Sequence, residues 1–416
     1  MTMLKGAAIF GQSGGPTAVI NSSASGVFQQ ALKEQCITAV YGAAHGIKGI
    51  LNEEFYDISK ESKEQLELLK TTPSSALGSV RYKLKNADVD DTDYKRLLEV
   101  FRKYNIRYFF YNGGNDSMDT CNKVSKYLAD AGYECRVIGV PKTIDNDLAI
   151  TDHCPGYGSA AKYVATTIME VYHDASVYDT PMITVIEIMG RNAGWLTAAS
   201  LLAVYKGAGP DLIYLPEVPF TIEKFLSDVK KVYDSKPDHK VIVAVSEGCK
   251  DKEGRYIAEM GQSLKKDAFG HSQLGGAAAI LGEIVEEQFK CKVRSIEFSL
   301  MQRCAAHIGS RTDIEEAFLA GQQAVKAAVE GHTDYMIGFE RTNVKGKYGI
   351  KTVLIPLAKV ANAEKTVPLE WFNQEKNFLK KDFIDYALPL IQGDSGLPFE
   401  EGLPKFAKLK KVSARK

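Results

Sequence analysis

Short apolar runs, each followed at once by a glycine-rich or polar cluster, recur along this chain of 416 residues. A strand that ends in a turn and leads into a helix produces this pattern. Repeated units of this kind are typical of α/β folds with parallel sheets. The pattern therefore predicts a doubly wound α/β architecture. The predicted strands are residues 7–10, 107–111, 135–140, 182–188, 240–245 and 294–298.

The polar clusters that follow these runs predict where a ligand binds. In open α/β sheets, ligands bind outside the carboxyl ends of the strands. Because several clusters follow separate strands, we expect them to form one cleft, or two clefts that face each other.

The composition excludes some classes of partner. The formal net charge is +0, which gives no reason to expect nucleic acid or an anionic membrane. No apolar stretch approaches the ~20 residues of a membrane helix, and the first residues do not resemble a signal peptide. The seven cysteines form no Cys-x-x-Cys pair, which leaves zinc and redox sites without support. We expect reduced thiols and a cytoplasmic protein.

Two glycine-rich turns are candidates for phosphate binding. Residues 11–17 precede a predicted helix, and backbone N–H groups at such a turn can bind a phosphate; the alternative is a tight strand-to-helix turn. The segment is neither a Walker A loop nor a dinucleotide fingerprint. Residues 113–117 add Asn115 and Asp116, whose oxygens suit magnesium. The alternative there is a helix N-cap at Ser117 or Asp116.

The segment Pro141-Lys-Thr-Ile-Asp-Asn-Asp147 places two carboxylates and a lysine directly after a predicted buried strand. Asp145 and Asp147 suit a general base beside a metal–phosphate site, although Asp also caps turns and helices. Arg191, Arg303 and Glu247 follow other strands, and each alone could be a surface residue. Together these groups fit phosphoryl transfer, which needs positioning, charge neutralisation and a base for the attacking hydroxyl.

These motifs occur in the order seen in 6-phosphofructokinases, a family that the chain resembles from about residue 6 to about residue 330. No motif of the family is recognised in the last ninety residues. The motifs are Gly14-Gly-Pro, Leu77-Gly-Ser-Val-Arg81, Gly113-Gly-Asn-Asp-Ser117, Thr143-Ile-Asp-Asn-Asp147, Met189-Gly-Arg191, Ser246-Glu-Gly248 and Gln302-Arg303.

The resemblance implies a role for each matching position. Asp145 is expected to be the base that takes the proton from the 1-hydroxyl of fructose 6-phosphate, with Lys142 and Arg191 as the other catalytic residues. Arg303 is expected to hold the 6-phosphate, and Arg294 to reach in from a neighbouring subunit. The full set expected at the sugar phosphate is Thr143, Ile144, Asp145, Asp147, Met189, Gly190, Arg191, Glu247, Arg294 and Arg303.

The phosphate donor is expected on the other side of the base. Magnesium is the expected cofactor, with Asn115 and Asp116 as its protein ligands. The residues expected at the donor are Gly14, Gly15, Arg81, Gly114, Asp116, Ser117 and Lys142.

Two of these positions bear on which donor is used. ATP-dependent members of the family typically have glycine where this chain has Lys142 and Asp116, whereas pyrophosphate-dependent members have lysine and aspartate. A carboxylate at position 116 would crowd and repel the α-phosphate of ATP, and a lysine places a point charge beside the transferring and leaving phosphates. The resemblance is therefore to the pyrophosphate-dependent type.

Three positions depart from the family pattern. Asn115 lies where many members have a metal-binding aspartate, so magnesium would depend more on Asp116, Asp145 or waters. Leu300 replaces a polar or aromatic residue, and Met182 lies where several relatives have a cation that enters the adjacent subunit's site. These differences bear on the sugar-phosphate pocket and the metal more than on the base.

The overall expectation is an α/β protein of two doubly wound, Rossmann-like domains with mainly parallel sheets and the substrate cleft between them. We expect residues 1–150 to form the donor domain, with the chain returning to it after about residue 303, and residues 151–302 to form the fructose 6-phosphate domain. Residues 331–416 are expected to be a helical or irregular extension packed on the core.

The expected activity is reversible phosphate transfer from pyrophosphate to fructose 6-phosphate in glycolysis and gluconeogenesis, by a homodimer or homotetramer. The alternatives are an ATP-dependent 6-phosphofructokinase and a non-catalytic regulatory subunit of the same fold. The lysine and aspartate that favour pyrophosphate argue against the first, and an intact base with its arginines argues against the second.

Overall fold

The computed structural model describes residues 4–260, 276–361, 363–373, 375 and 377–414. Two mainly parallel sheets, flanked by helices, form its framework, and the predicted α/β architecture is confirmed. The strands are β1 (Gly6–Gln12), β2 (Ile37–Ala43), β3 (Phe55–Asp57), β4 (Ile106–Gly113), β5 (Arg136–Pro141), β6 (Met182–Ile188), β7 (Leu212–Tyr214), β8 (Lys240–Ser246), β9 (Lys292–Glu297), β10 (Tyr335–Val344), β11 (Lys347–Pro356), β12 (Phe372–Asn373), β13 (Phe378–Leu379), β14 (Phe399–Glu400) and β15 (Leu403–Pro404).

Helices fill most of the connections between these strands. They are α1 (Ile20–Ala31), α2 (Ile47–Leu51), α3 (Lys63–Leu68), α4 (Thr92–Tyr104), α5 (Asn115–Asp130), α6 (Tyr157–Ser176), α7 (Trp195–Ala198), α8 (Leu201–Tyr205), α9 (Ile222–Ser235), α10 (Ala277–Phe289), α11 (Met301–Cys304), α12 (Arg311–Val329), α13 (Leu357–Val360) and α14 (Lys381–Ala387).

The larger sheet has seven strands in the order β11-β10-β5-β4-β1-β2-β3. The five strands from β10 to β2 run parallel, and β11 and β3 are antiparallel to their neighbours. All seven residues of β1 are buried, because helices cover both faces of this part of the sheet. The chain leaves β1 and β4 in opposite directions, so their carboxyl ends form the crevice where such sheets bind ligands.

The smaller sheet has four parallel strands in the order β7-β8-β6-β9. The central strand β6 is fully buried, as its β-branched apolar sequence predicts. The chain leaves β6 and β8 in opposite directions, which creates a second crevice at their carboxyl ends.

Helix α12 carries the chain from the smaller sheet back to the larger one and packs on α1. Two glycines allow this contact: a Cβ on Gly26 would lie 2.1 Å from the Phe318 carbonyl oxygen, and one on Gly321 would lie 2.1 Å from the Ser23 carbonyl oxygen. A side chain at either position would push the two helices apart.

The segment after α12 differs from the expected helical or irregular extension. Residues 335–356 form the β10–β11 hairpin, and β10 pairs in parallel with β5 at the edge of the larger sheet. Met336, Ile337 and Phe339 in the first half of β10 are buried, whereas the second half of β10 and most of β11 are partly or fully exposed. The residues that follow pack on the core through Phe372, Phe383 and Leu390. No helix among the described residues is long and apolar enough to span a membrane.

Candidate active site

Loops from the carboxyl ends of both sheets line one cleft of about 640 Å³. The loops after β1, β4 and β5 belong to the larger sheet, and those after β6 and β8 belong to the smaller one. The loops of both sheets therefore line one cleft, which is the first of the two arrangements expected from the sequence.

The loop after β1 is held by the segment that carries Arg81. Gly14 has a φ of 76°, a conformation that favours glycine, and its N–H donates to the Val80 carbonyl oxygen over 3.2 Å. The Ser79 hydroxyl in turn donates to the Gly14 carbonyl oxygen over 2.6 Å. A Cβ on Gly15 would lie 3.0 Å from Arg303 Nη1, so this loop also approaches a cation from the other side of the cleft.

Lys142 lies between the two glycine-rich loops and is only 4 % exposed. Its Nζ donates to the Gly15 carbonyl oxygen over 2.7 Å, and its backbone N–H donates to the Gly113 carbonyl oxygen over 3.0 Å. Burial lowers the pKa of Lys142 to about 8, and the nearby Asp145 and Asp147 carboxylates oppose that shift. The ammonium is thus a cation held at the floor of the cleft between both loops.

Asp145 and Asp147 lie on the turn after β5, and neither caps a helix, because the next helix begins at Tyr157. The Asp145 backbone N–H donates to the Thr143 hydroxyl over 3.1 Å, which fixes the turn from inside. Burial raises the pKa of both carboxyls, that of Asp147 to about 7 with a further contribution from Asp145. The charges of Lys142 and Arg191 oppose the rise at Asp145.

Oxygen atoms suitable for a divalent metal ion lie beside this turn. Asn115 Nδ2 donates to one Asp147 oxygen over 3.2 Å, which leaves Asn115 Oδ1 and Asp147 Oδ1 buried without a hydrogen-bond partner among the described residues. Asp116 occupies the first turn of α5 in the same cleft. The described residues contain no cluster of three or more His, Cys, Asp or Glu side chains for a metal, so an ion here would need phosphate oxygens and waters, as magnesium commonly does.

The N-terminus of α5 excludes the alternative that Ser117 or Asp116 is the N-cap of this helix. Gly114 occupies the N-cap position and makes no side-chain capping bond. Neither Ser117 nor Asp116 is therefore the N-cap, and both side chains line the cleft.

The loop after β6 forms the opposite wall. Gly190 N–H donates to Glu247 Oε1 over 3.2 Å, and the Ser246 hydroxyl donates to the Gly190 carbonyl oxygen over 2.6 Å. Burial raises the pKa of Glu247 to about 7, with Asp145 and Glu187 adding to the shift. These bonds join the ends of β6 and β8 and fix the backbone next to Arg191.

Three guanidinium groups converge on the cleft. Burial lowers the pKa of Arg81, and the charges of Arg191 and Arg303 lower it further. Asp116 and Asp145 act in the opposite direction. An anion bound between the three guanidinium groups would offset their mutual repulsion. The cleft therefore favours ligands that carry phosphate groups.

The cleft brings together nearly all of the residues predicted from the sequence. The predicted site residues that line the cleft are Gly14, Gly15, Arg81, Gly114, Asn115, Asp116, Ser117, Lys142, Thr143, Ile144, Asp145, Asp147, Met189, Arg191, Glu247 and Arg303. Gly190 supports the wall behind Met189 but does not line it. Arg294 lies outside the cleft of its own chain, where it pairs with Asp174 and lies over the Tyr178 ring.

Several cleft residues were not predicted from the sequence. Lys83 follows Arg81 by two residues, and Asn192 follows Arg191 directly, so their position beside a motif was a usable signal. Glu364 is different: it belongs to the segment without any motif, and its Oε1 accepts a hydrogen bond from Asn192 Nδ2 over 2.8 Å. Ala193, two residues after Arg191, also lines the cleft, and Ser13, Pro16 and Thr17 belong to the turn at residues 11–17 that was predicted as a phosphate-binding candidate.

Comparison with known proteins agrees with this geometry. The phosphofructokinase family model matches residues 7–298. The chain is 42 % identical over 408 residues to a pyrophosphate–fructose 6-phosphate 1-phosphotransferase of Halomonas elongata, covering 97 % of this chain and 96 % of the relative. The chain belongs to the phosphofructokinase family. The family resemblance inferred from the motifs is thereby confirmed.

Two further relatives match this chain over nearly its whole length. A pyrophosphate–fructose 6-phosphate 1-phosphotransferase of Xanthomonas campestris is 43 % identical over 421 residues, covering 100 % of this chain and 98 % of the relative. The crystal structure of a pyrophosphate-dependent phosphofructokinase from Nitrosospira multiformis superposes with a TM-score of 0.88 at 39 % identity and covers 98 % of both chains. Phosphofructokinases generally need a divalent metal ion, and the free Asn115 and Asp147 oxygens fit one.

Proposed function

We propose that this protein transfers phosphate reversibly from pyrophosphate to fructose 6-phosphate, giving fructose 1,6-bisphosphate and phosphate, with magnesium as the metal. The observation that carries the choice of donor is Lys142, a buried cation that bonds to the phosphate loop through the Gly15 carbonyl oxygen. The names of the full-length relatives support the same donor and the same acceptor.

The position of Lys142 explains why a short donor suits this cleft. Its ammonium lies between the loops after β1 and β4, where the two phosphates of a diphosphate would be held, and adds a point charge there. Asp116 lines the same side, and its carboxylate would repel a third phosphate group extending past the second. Pyrophosphate ends before that position, whereas ATP continues through it.

The turn after β5 supplies the chemistry on the sugar. Asp145 is assigned as the base that accepts the proton of the sugar 1-hydroxyl as that oxygen attacks the terminal phosphorus. The bond between this phosphorus and the bridging oxygen breaks, and phosphate leaves beside Lys142. The cations Lys142, Arg81 and Arg191 stabilise charge on the transferring and leaving groups.

The remaining roles follow from the two walls of the cleft. We assign the sugar 6-phosphate to Arg303 and the sugar ring to Met189, Arg191 and Glu247. Magnesium, held by Asn115, Asp116 and Asp147 oxygens, would neutralise the charge of the pyrophosphate oxygens when bound. In this assignment the larger sheet binds the donor and the smaller sheet binds the sugar, as the division at residues 150 and 302 anticipates.

Two further assignments complete the proposal. Arg294 faces away from the cleft of its own chain, which fits a homo-oligomer in which it reaches a neighbouring subunit's site. All seven cysteines are described and unpaired, which fits a reducing compartment such as the cytoplasm.

The reverse reaction tests the proposed activity. Purified protein supplied with fructose 1,6-bisphosphate, inorganic phosphate and magnesium is expected to produce pyrophosphate and fructose 6-phosphate, because the two phosphate transfers have comparable driving force. Pyrophosphate is measured enzymatically as it forms, and the same incubation with ADP in place of phosphate is the control. Sugar bisphosphate consumption that requires ADP would overturn the proposal.

Lys142 also predicts how the rate depends on pH. With a pKa lowered to about 8, the side chain is charged below that pH and loses its charge as the pH rises through it. We therefore expect kcat/KM for pyrophosphate to fall above pH about 8, by about tenfold per unit. The expected profile of Lys142→Arg lacks this limb, because a guanidinium stays charged. The profile is measured at intervals of about half a pH unit. A wild-type kcat/KM that stays constant from about pH 7 to about pH 10 would contradict the role of the ammonium.

A further inference from the structure

The side chain between the two carboxylates of the turn faces away from the cleft. Asn146 has a φ of 56° and is fully buried. A non-glycine residue in this left-handed conformation is uncommon, and asparagine is one of the few that adopt it readily. Its flanking residues Asp145 and Asp147 line the cleft, so the conformation at Asn146 directs both carboxylates.

Both ends of the Asn146 amide are bonded. Its Oδ1 accepts the Cys154 N–H over 2.9 Å, and its Nδ2 donates to the Tyr386 hydroxyl over 2.7 Å. The Tyr386 hydroxyl donates in turn to the Asp152 carbonyl oxygen over 2.8 Å. One hydroxyl therefore ties together the two ends of the loop from residue 146 to residue 152.

Tyr386 is itself held in place. It lies on α14, in the part of the chain for which the sequence offered no motif. Its ring packs against Trp195 and Trp371 with centroids 5.1 Å and 5.6 Å apart. Arg341 Nη1 donates to the Tyr386 carbonyl oxygen over 2.9 Å, and its guanidinium lies over the ring. These contacts fix the position of the Tyr386 hydroxyl, which in turn holds the loop from residue 146 to residue 152.

We propose that Tyr386 is a positioning residue for phosphate transfer: through Asn146 it holds the turn so that Asp145 faces the sugar hydroxyl. The inference rests on the proposed function and extends it to a residue that never touches the substrate. A base must be placed within a fraction of an ångström of its productive position, and a misplacement of about 1 Å can lower the rate by about a hundredfold. Arg303, assigned to the sugar 6-phosphate, lies outside this turn, so binding of fructose 6-phosphate is expected to change little.

Tyr386→Phe removes only the hydroxyl and keeps the packed ring. We expect kcat to fall by about tenfold while KM for fructose 6-phosphate stays within about twofold. Tyr133→Phe is the matched control, because its buried hydroxyl also lies within hydrogen-bonding distance of two groups, the Phe101 and Ile106 carbonyl oxygens at 2.9 Å and 2.8 Å, either of which can accept its proton. That site lies at the amino end of β4, at the opposite edge of the sheet from the cleft. We expect a lower melting temperature in both variants and a normal kcat in Tyr133→Phe.

A double-mutant cycle separates positioning from general stability. If Tyr386 acts through Asn146, the double variant Asn146→Ala, Tyr386→Phe has the kcat of Asn146→Ala alone, within about twofold. A double variant whose loss in kcat is the product of the two single losses would overturn the proposal. So would a Tyr386→Phe enzyme with normal kcat and the same thermal shift as Tyr133→Phe. Wild-type turnover of pyrophosphate in the same assay tests the proposed function separately.

Discussion

Replacement of Asp145 by asparagine is expected to lower kcat for fructose 1,6-bisphosphate formation by about a thousandfold, within the range for loss of a general base. Asparagine keeps the shape of the side chain but accepts no proton from the attacking hydroxyl. The KM values for both substrates are expected to change little, because the arginines and the phosphate loop remain intact. Steady-state rates at saturating pyrophosphate and fructose 6-phosphate measure the effect.

The same variant is expected to be more stable than the wild type, although it is less active. Burial raises the pKa of Asp145 above its ordinary value, so its ionised form is less favourable in the folded protein than in the unfolded chain. Removal of the carboxylate is therefore expected to raise the melting temperature at pH 7. The assignment of Asp145 as the base is contradicted if folded Asp145→Asn retains near-normal kcat, and the stability prediction is contradicted if its melting temperature falls.

Lys142→Gly is expected to give the second large effect, a fall in kcat with pyrophosphate of about a hundredfold or more, as for loss of one transition-state contact. The glycine leaves the Gly15 carbonyl oxygen without its donor and removes the cation beside the leaving phosphate. The KM for fructose 6-phosphate is expected to stay within about threefold, because Lys142 does not belong to the sugar wall.

Two variants at the same position act as controls for charge and volume. Lys142→Met keeps most of the buried volume without the charge and should be as slow as Lys142→Gly. Lys142→Arg keeps the charge and should retain more activity than either. Equal losses in kcat and in fructose 6-phosphate affinity for Lys142→Gly would show that the lysine supports the whole cleft rather than the donor.

The architecture and most of the cleft were predictable because their determinants are local in sequence. Each apolar run of the parallel strands is followed by its own polar cluster, and the geometry of such sheets brings those clusters to one edge. The turn after β5 was identified in this way, and the structure places Lys142, Asp145 and Asp147 together in the cleft.

The rest depends on contacts between distant parts of the chain. The bond from Asn146 to Tyr386 spans 240 residues, and that from Asn192 to Glu364 spans 172. Neither contact has a local pattern, because no motif surrounds Tyr386 or Glu364 in the C-terminal segment. The β10–β11 hairpin was missed for a similar reason: its pairing with β5 decides its place in the sheet.

Competition between pyrophosphate and ATP tests most directly which of them is the phosphate donor. Purified protein with fructose 6-phosphate and magnesium is supplied with pyrophosphate and ATP at equal concentration, and the consumption of each is followed with the formation of fructose 1,6-bisphosphate. We expect one pyrophosphate to disappear for each bisphosphate formed while ATP remains intact. Bisphosphate formed with matching release of ADP, and with pyrophosphate left unchanged, would contradict it.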